Sequence, residues 1–530
     1  MKVKTIPFYK TGYFSKLICD YLAKDDKLQP FYNNFPSIEG FKKQLEEKKA
    51  SFSSESRNVL VNALSDQYKN VEKSEKTTEN LVNLELENTF TVVTGHQLNL
   101  FTGPLYFLYK IISTINLAEK LKEEFPSYNF VPVYWMATED HDFEEINYFN
   151  FKDKKIQWNK ESAGPVGRLR TDDLQQIYSV IDLEFGTTER AVDLKNLFKK
   201  AYIEHETLTE ATRFLANELF GKYGLIIVDG DDKSLKKQFV PFMEQELVDF
   251  TSFNEVSKTI AELEKEYPIQ VNPREINLFY MSDDLRERIV FEDVKYRAIE
   301  SNTSWTKQEI LDHLNKYPEK FSPNVIMRPL YQEVILPNLG YIGGGGELAY
   351  WLELRGYFEA VKIPFPMLLL RDSVLVLSEK QRSKMQKLSL TNEDIFLKQQ
   401  ELIAKKTKEL SEIDIDFTSQ KAFLQKQFEY LYTLAEKTDK SFLGAVKAQE
   451  VKQLKGLDTL EKRLLKAQKR KLGSELDRVI SLQNELFPKG SLQERFNNFS
   501  EIYLEFGDQF IDSVKESLNP LQQEFTIITL

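Results

Sequence analysis

The chain has 530 residues, of which 41% are hydrophobic and 12% aromatic, enough apolar surface for more than one packed core and too much for a disordered or fibrous protein. Its 71 basic residues against 82 acidic ones leave a formal charge of −11, so neither nucleic acid nor an anionic membrane surface is expected as a general partner, because both call for a basic face. The single cysteine, Cys19, cannot form an internal disulfide, and no stretch reaches the roughly 18 apolar residues of a membrane span or the apolar core of a secretory signal, so a cytoplasmic protein is expected.

Residues 1–88 read as a polar, helical N-terminal segment of the core. Phe90–Thr94 is a short β-branched run of the kind that forms a buried parallel strand, and it ends in Gly95-His96-Gln97. Thr102-Gly103-Pro104 then predicts a helix start, followed by Leu105, Leu108, Ile111, Ile112, Ile115, Ala118 and Leu121 at helical spacing. A second strand, Val133–Ala137, is expected to begin just after Pro132 and runs into Glu139-Asp140-His141-Asp142-Phe143-Glu144-Glu145. A third, Leu225–Val228, ends in Asp229-Gly230-Asp231-Asp232. A fourth, Met367–Leu370, ends in Arg371-Asp372-Ser373. Apolar strands alternating with helices indicate an open α/β sheet over residues 89–391, with ligands beyond the carboxyl ends of the strands. Insertions are placed at about 145–215 and 250–320, the second carrying an antiparallel meander over Ile276–Ile299.

Residues 392–486 lack proline and carry Val451, Leu454, Leu457, Leu460 and Leu464, then Leu472, Leu476 and Ile480, at the spacing of a helix–helix seam. An antiparallel hairpin turning near residues 438–444, with arms of ~40 residues and so roughly 60 Å long, is expected. Residues 487–530 are read as a C-terminal segment packing on core and arm.

Three constellations can carry chemistry. Gly95, His96 and Gln97 with Thr102 and Gly103 form a strand-to-helix link whose backbone N–H groups favour an anion. Asp140, His141, Asp142 and Glu145 follow a strand directly and suit an acid, a base or an amine anchor; a divalent cation or a helix start decorated with acids are the competing readings. The run Gly343-Gly344-Gly345-Gly346 leaves backbone bare for a carboxylate or phosphate, and Glu347 behind it can receive an amine. Arg328, Glu333 and Tyr350 flank that run, although an ion pair within the fold explains Arg328 and Glu333 equally. The four histidines show no paired metal spacing, so no metal is predicted.

GHQLNLFTGPLY (95–106), VPVYWMATEDHDFEEIN (131–147), RPLYQEVILPNLGYIGGGGELAYW (328–351), FPMLLLRDS (365–373) and FPKGSLQERFNNF (487–499) together resemble the bacillithiol biosynthesis cysteine-adding enzyme family across nearly the whole chain. The resemblance implies a Rossmann-like core akin to class I cysteinyl-tRNA synthetase with connecting-peptide insertions, and a coiled-coil arm promoting a homodimer. It also implies the task of joining L-cysteine to the amine of glucosaminyl-malate, the last step of bacillithiol assembly. Analogy with those synthetases suggests an adenylate, hence ATP or another nucleotide, and the family pattern suggests Lys489, Gln493 and Arg495 near a nucleotide. Asp140, His141, Asp142, Glu145, Glu347 and Arg371 match the pattern, whereas His96 stands where Gln is common and Gly345 where Pro is common. In the implied division of labour, His141 or a neighbouring carboxylate takes the acceptor's proton, while Gly95, Gly103, the glycine run and Arg371 hold anionic groups. The alternatives are a nucleotide-dependent ligase or nucleotidyltransferase acting on another amine, a coiled-coil scaffold, and a metal-dependent hydrolase.

Overall fold

The computed structural model describes residues 2–438 and 440–530, which divide into two compact units. Of the described residues, one unit comprises 2–9, 13–376 and 491–530, and the other 10–12, 377–438 and 440–490.

The first unit is built on a five-stranded parallel sheet: β1 (Thr89–His96), β2 (Asn129–Met136), β3 (Ile226–Asp229), β4 (Asn338–Gly343) and β5 (Met367–Leu370). The spatial order β5-β4-β1-β2-β3 is the 3-2-1-4-5 arrangement of a doubly wound, Rossmann-like sheet. All eight residues of β1 are buried, as expected of a β-branched strand covered on both faces. Phe90 and Val92 pack with Leu117 and Leu121 of helix α1 (Tyr106–Glu124), Leu339 and Ile342 of β4, and Met367 and Leu369 of β5. Further helices are α2 (Lys233–Asp249), α3 (Arg328–Ile335) and α4 (Gly345–Glu353).

Four sequence expectations need correction. Pro132 lies inside β2; it precedes Val133, the first residue paired with β3, so the strand is still an edge there and tolerates a residue without an N–H. Strand β4 reads in the sequence only as glycine loop, because Asn338, Gly340 and Gly343 lower its apparent strand propensity. The glycine at 340 suits the tight approach of β5: a Cβ there would lie 3.2 Å from Leu369 Cδ1. The N-terminal segment is not wholly helical, since Lys2–Ile6 pairs antiparallel with Phe525–Thr529, far away in sequence. Finally, α1 starts at Tyr106 rather than at Thr102, because Phe101, Thr102 and Gly103 all have positive φ (48°, 68° and 62°) and form a tight turn.

That turn is held from the other end of the chain. Asn498 Nδ2 donates to the carbonyls of Phe101 and Gly103, each at 2.7 Å, and the Leu105 N–H donates to the Asn497 carbonyl at 2.9 Å. A Cβ on Gly103 would meet Asn99 Cβ at 2.7 Å, so glycine is required there sterically as well as conformationally. The meander is a five-stranded antiparallel sheet that includes Leu278–Ser282, Leu285–Glu292 and Lys295–Ala298, and it extends to Ser304–Trp305 and Phe321–Pro323.

The second unit contains helices α5 (Gln399–Leu410), α6 (Thr418–Ala435), α7 (Lys440–Lys471) and α8 (Gly473–Leu486). It begins at Leu377 rather than 392, because helix Glu379–Lys387 packs on α8, with Lys384 paired to Glu485 at 2.9 Å. Its outgoing limb is broken at residues 411–417. The returning helix α7 has 32 residues, about 48 Å at ~1.5 Å each, shorter than the expected arm. Phe428 and Ala435 of α6 pack on Val446 of α7, and Lys421 pairs with Asp458 and Glu461 at 2.6 Å. Val451 and Leu460, expected in the seam, are exposed.

Asn498→Ala removes two buried hydrogen bonds and the side chain that caps helix Phe499–Phe506 through the Ser500 N–H at 3.0 Å. The variant is expected to lose about 2–4 kcal/mol of core stability in denaturant unfolding.

Candidate functional site

In a sheet of this order the crevice opens where the connections reverse direction, beyond the carboxyl ends of β1 and β4. Thr94 Oγ1 donates to the Ile342 carbonyl at 2.8 Å, tying the two strand ends together. From α1, the buried Lys110 ammonium donates to the Gly95 carbonyl at 2.8 Å and pairs with Glu347 Oε2 at 2.5 Å. The same carboxylate receives the Tyr341 hydroxyl at 2.6 Å and reaches back to the Gly344 N–H at 2.8 Å, so Glu347 caps the helix that begins inside the glycine run. The amine that Glu347 holds is therefore the protein's own Lys110. Burial pushes the Glu347 carboxyl up, but Lys110, Tyr341 and Gly344 more than offset this and leave it below the usual carboxylate range.

His96, Tyr106 and Arg371 lie around this pair. The His96 ring is 5.3 Å from the Tyr106 ring, and the Arg371 guanidinium lies 5.2 Å over that ring. Nδ1 of His96 is 2.7 Å from the Gln97 carbonyl, which can only accept, so Nδ1 carries the proton and Nε2 presents a lone pair. Burial first, and the Lys110 charge second, push His96 down to about 3, which keeps the ring neutral. Arg371 pairs with buried Glu494 at 2.7 Å, and Glu494 also accepts the Val374 N–H at 2.9 Å. Burial pulls Arg371 down, yet Glu494 outweighs it and raises the guanidinium above its usual value. Among the described residues His96 Nε2, Arg371 Nε and Thr102 Oγ1 are buried without a hydrogen-bonding partner, and the first two border the Lys110–Glu347 pair. Arg328 completes this side, donating to Gln332 at 3.1 Å and Tyr350 at 3.4 Å.

Gln97 carries the site toward β2. Its amide nitrogen donates to Asp140 Oδ2 and Glu145 Oε2, both at 2.9 Å, using both hydrogens. His141 follows, half exposed, and Asp142 stands at the exposed start of the short helix Phe143–Ile146 without forming a side-chain cap. Beyond β3, buried Lys236 of α2 pairs with Glu139 at 2.5 Å and Asp231 at 3.2 Å, and Arg168 grips Asp231 at 2.8 Å. Burial pushes the Lys236 ammonium down, and Glu139 and Asp231 reverse this. Among the described residues no three His, Cys, Asp or Glu side chains are arranged to hold a metal ion.

The structure thus gathers Gly95, His96, Gln97, Gly343, Gly344, Glu347, Arg328, Tyr350 and Arg371 at the β1–β4 crevice, and Gln97 links Asp140 and Glu145 to it. Thr102 and Gly103 lie in the turn held by Asn498, where the Gly103 carbonyl is already occupied. Glu333 is taken by a fully buried pair with Lys48 at 3.1 Å, an element of the fold. Gln493 is not available to a nucleotide: its amide exchanges hydrogen bonds with the Val376 N–H and carbonyl at 2.9 and 3.1 Å. Arg495 is exposed, and its charge acts on Tyr106, whereas Lys489 belongs to the second unit. Sequence reasoning missed Tyr106, Lys110, Tyr341, Arg286 and Glu494. Lys110 carried a readable signal, a charge set between Leu108 and Ile111 in an apolar helix stripe.

Comparison with known proteins agrees with this architecture. The bacillithiol biosynthesis BshC N-terminal Rossmann-like domain matches residues 1–372, and the BshC C-terminal coiled-coil domain matches residues 374–530. The chain belongs to the BshC family. Relatives named "Putative cysteine ligase BshC" include one from Flavobacterium johnsoniae, 59% identical over the full length of both chains. Another from Cytophaga hutchinsonii is 36% identical, covering 98% of this chain and 97% of its own. A BshC from Bacillus cereus is 28% identical, covering 97% of each.

Two predictions follow from the charged groups. Lys110→Met and Glu347→Gln are each expected to cost about 2–4 kcal/mol, while the double variant costs less than their sum, as a double-mutant cycle in denaturant measures. Asp372, buried and bonded by Ser113 Oγ at 2.7 Å, is pushed by burial from 3.8 up to about 6. The unfolded carboxyl releases its proton first, so the folded state binds more protons between about pH 4 and 6 and stability falls as pH rises through that window. Asp372→Asn is expected to exceed the parent by up to about 3 kcal/mol above pH 6, the gap closing below pH 4.

Proposed function

We propose that this chain joins the carboxyl group of L-cysteine to the amine of glucosaminyl-malate, the last step of bacillithiol assembly, in the cytoplasm, with ATP or another nucleotide supplying the activation. Family membership and the name shared by its relatives support a cysteine ligase. The observation that carries the reading is the set of unpartnered buried groups, His96 Nε2 and Arg371 Nε, beside the Lys110–Glu347 pair at the crevice of a Rossmann-like sheet.

Acyl transfer requires the carboxyl group to be held and polarised, developing negative charge to be met by donors, and the attacking amine to lose a proton. The backbone N–H groups of Gly345 and Gly346 in the first turn of α4, beside the Gly344 N–H already taken by Glu347, and the free Arg371 Nε suit anionic groups, whether carboxylate or phosphate. A bound nucleotide supplies a leaving group for the cysteine carboxyl. The His96 lone pair accepts an N–H or O–H from a ligand. The carboxylates of Asp140, Asp142 and Glu145 stand on the Gln97 side, where an acceptor amine can pass on its proton. Two copies pair through the arm, whose exposed Phe423, Tyr430 and Leu460 offer apolar surface.

Purified full-length protein, which should sediment as a dimer, is incubated with cysteine, glucosaminyl-malate and individual nucleoside triphosphates, and thiols are followed by mass spectrometry. The expected product is the condensation of the two substrates, with activity falling at least tenfold in Asp142→Asn. Absence of product with every triphosphate, together with an unchanged thiol profile in cells lacking the gene, would overturn the assignment.

A further inference from the structure

Two of the four histidines lie in the candidate site, and their surroundings fix opposite tautomers. His96 is held with its proton on Nδ1 by the Gln97 carbonyl. At His141 the nearest neighbour of Nδ1 is Arg286 Nη1, at 2.8 Å, while Asp140 Oδ1 stands beyond hydrogen-bond reach at 3.7 Å. A guanidinium has five N–H donors and no acceptor, and it does not deprotonate in proteins, so this contact exists only if Nδ1 offers a lone pair. The ring's proton must then sit on Nε2. A doubly protonated ring would turn the contact into donor against donor and cation against cation.

The arrangement is built rather than incidental. Arg286 belongs to the meander strand Leu285–Glu292, and its guanidinium lies 4.0 Å over the ring of Phe279 on the neighbouring strand. Its remaining nitrogens donate to Ser322 Oγ at 3.2 Å and the Pro323 carbonyl at 3.3 Å, so the side chain is fixed from three directions. The His141 ring also rests against Phe279, with centroids 5.6 Å apart. On the loop side the His141 backbone N–H donates to Asp140 Oδ1 at 2.8 Å. Burial pulls Arg286 below its usual value, and the nearby carboxylates of Glu139, Asp140 and Asp142 offset only part of that pull. His141 Nε2 has no protein partner among the described residues, and the side chain is 41% exposed.

We infer that Arg286 is a positioning residue that holds His141 as a neutral Nε2–H donor, so that His141 gives a hydrogen bond to an acceptor oxygen of the ligand and does not take the proton of the attacking amine. The proton then leaves to a carboxylate of the same loop. This deepens the ligase reading by dividing the labour: His141 meets developing negative charge, while Asp140, Asp142 and Glu145 are left for proton transfer. It also gives the inserted meander a task, the delivery of a fixed cation behind a core histidine.

The test has one arm that needs no activity. In full-length protein labelled with nitrogen-15 histidine, His141 (assigned by loss of its signals in His141→Gln) is expected to show an unprotonated Nδ1 and a protonated Nε2. Arg286→Gln, if its far-ultraviolet circular dichroism and melting match the parent, should give a mixture of tautomers. A wild-type ring protonated at Nδ1, or a tautomer unchanged in Arg286→Gln, overturns the inference whatever the enzyme's substrate. In the second arm His141→Gln keeps a donor near the place of Nε2 but cannot accept a proton. It should retain kcat/KM within roughly tenfold, whereas His141→Ala should lose about 10- to 100-fold, mostly in kcat. Equal loss in both variants assigns His141 the proton-accepting role and overturns the inference. Failure of all preparations to form product would instead count against the ligase reading and leave the tautomer result standing.

Discussion

The site depends on one buried ammonium. Lys110 leaves an otherwise apolar helix face to satisfy the Gly95 carbonyl at the end of β1 and the Glu347 carboxylate at the start of α4. These two points lie on either side of the reversal in strand order, so a single side chain sets the width of the crevice. Burying a charge in this way is costly unless its partners are complete. Here they nearly are: Glu347 also receives Tyr341 and Gly344, and three of its roughly four lone-pair positions are filled. What remains polar and unfilled nearby, at His96 and Arg371, is thereby set apart for a ligand.

Around this pair the protein divides buried charge from exposed charge. Arg371–Glu494, Lys48–Glu333 and Lys236–Glu139 are pairs whose members are nearly or wholly removed from water. They fix loops and helices at the ends of the sheet. Asp140, His141, Asp142 and Glu145, by contrast, are at least partly reachable by solvent; Asp140 and Glu145 accept from Gln97, and His141 meets Arg286. A scaffold that keeps its own charges dry can leave a short acidic loop wet without losing its geometry.

The sheet was legible where its strands were apolar. β1, β2, β3 and β5 stand out as such, β1 and β3 with β-branched residues as well, and the polar residues at their ends led directly to Gly95, His96, Asp140 and Arg371. Strand β4 escaped because the glycines that let it fit against β5 disguise it as loop. Its omission hid the reversal point, although the glycine run itself marked the place. The role of Glu347 was half legible: a carboxylate awaiting an amine was the right chemistry, but its partner was a lysine more than two hundred residues earlier, a pairing no local pattern reveals. Gln493 shows the converse, since a residue in a family motif proved to be a clasp on the Val376 backbone. The arm's leucine stripe gave the helices but not their burial, because spacing does not say which leucines find a neighbour.

The last forty residues of the chain return to the first unit, supplying Glu494 to Arg371, Asn498 to the turn after β1, and Phe525–Thr529 as partner to the opening strand. On the ribosome, therefore, a nascent polypeptide emerges with its β1 turn unpinned and its Arg371 uncompensated until the arm has been made and the tail has followed it out. The first unit of such a molecule is completed last at its own beginning, and a stop codon directly after the arm would yield a product with a folded hairpin and an unfinished crevice.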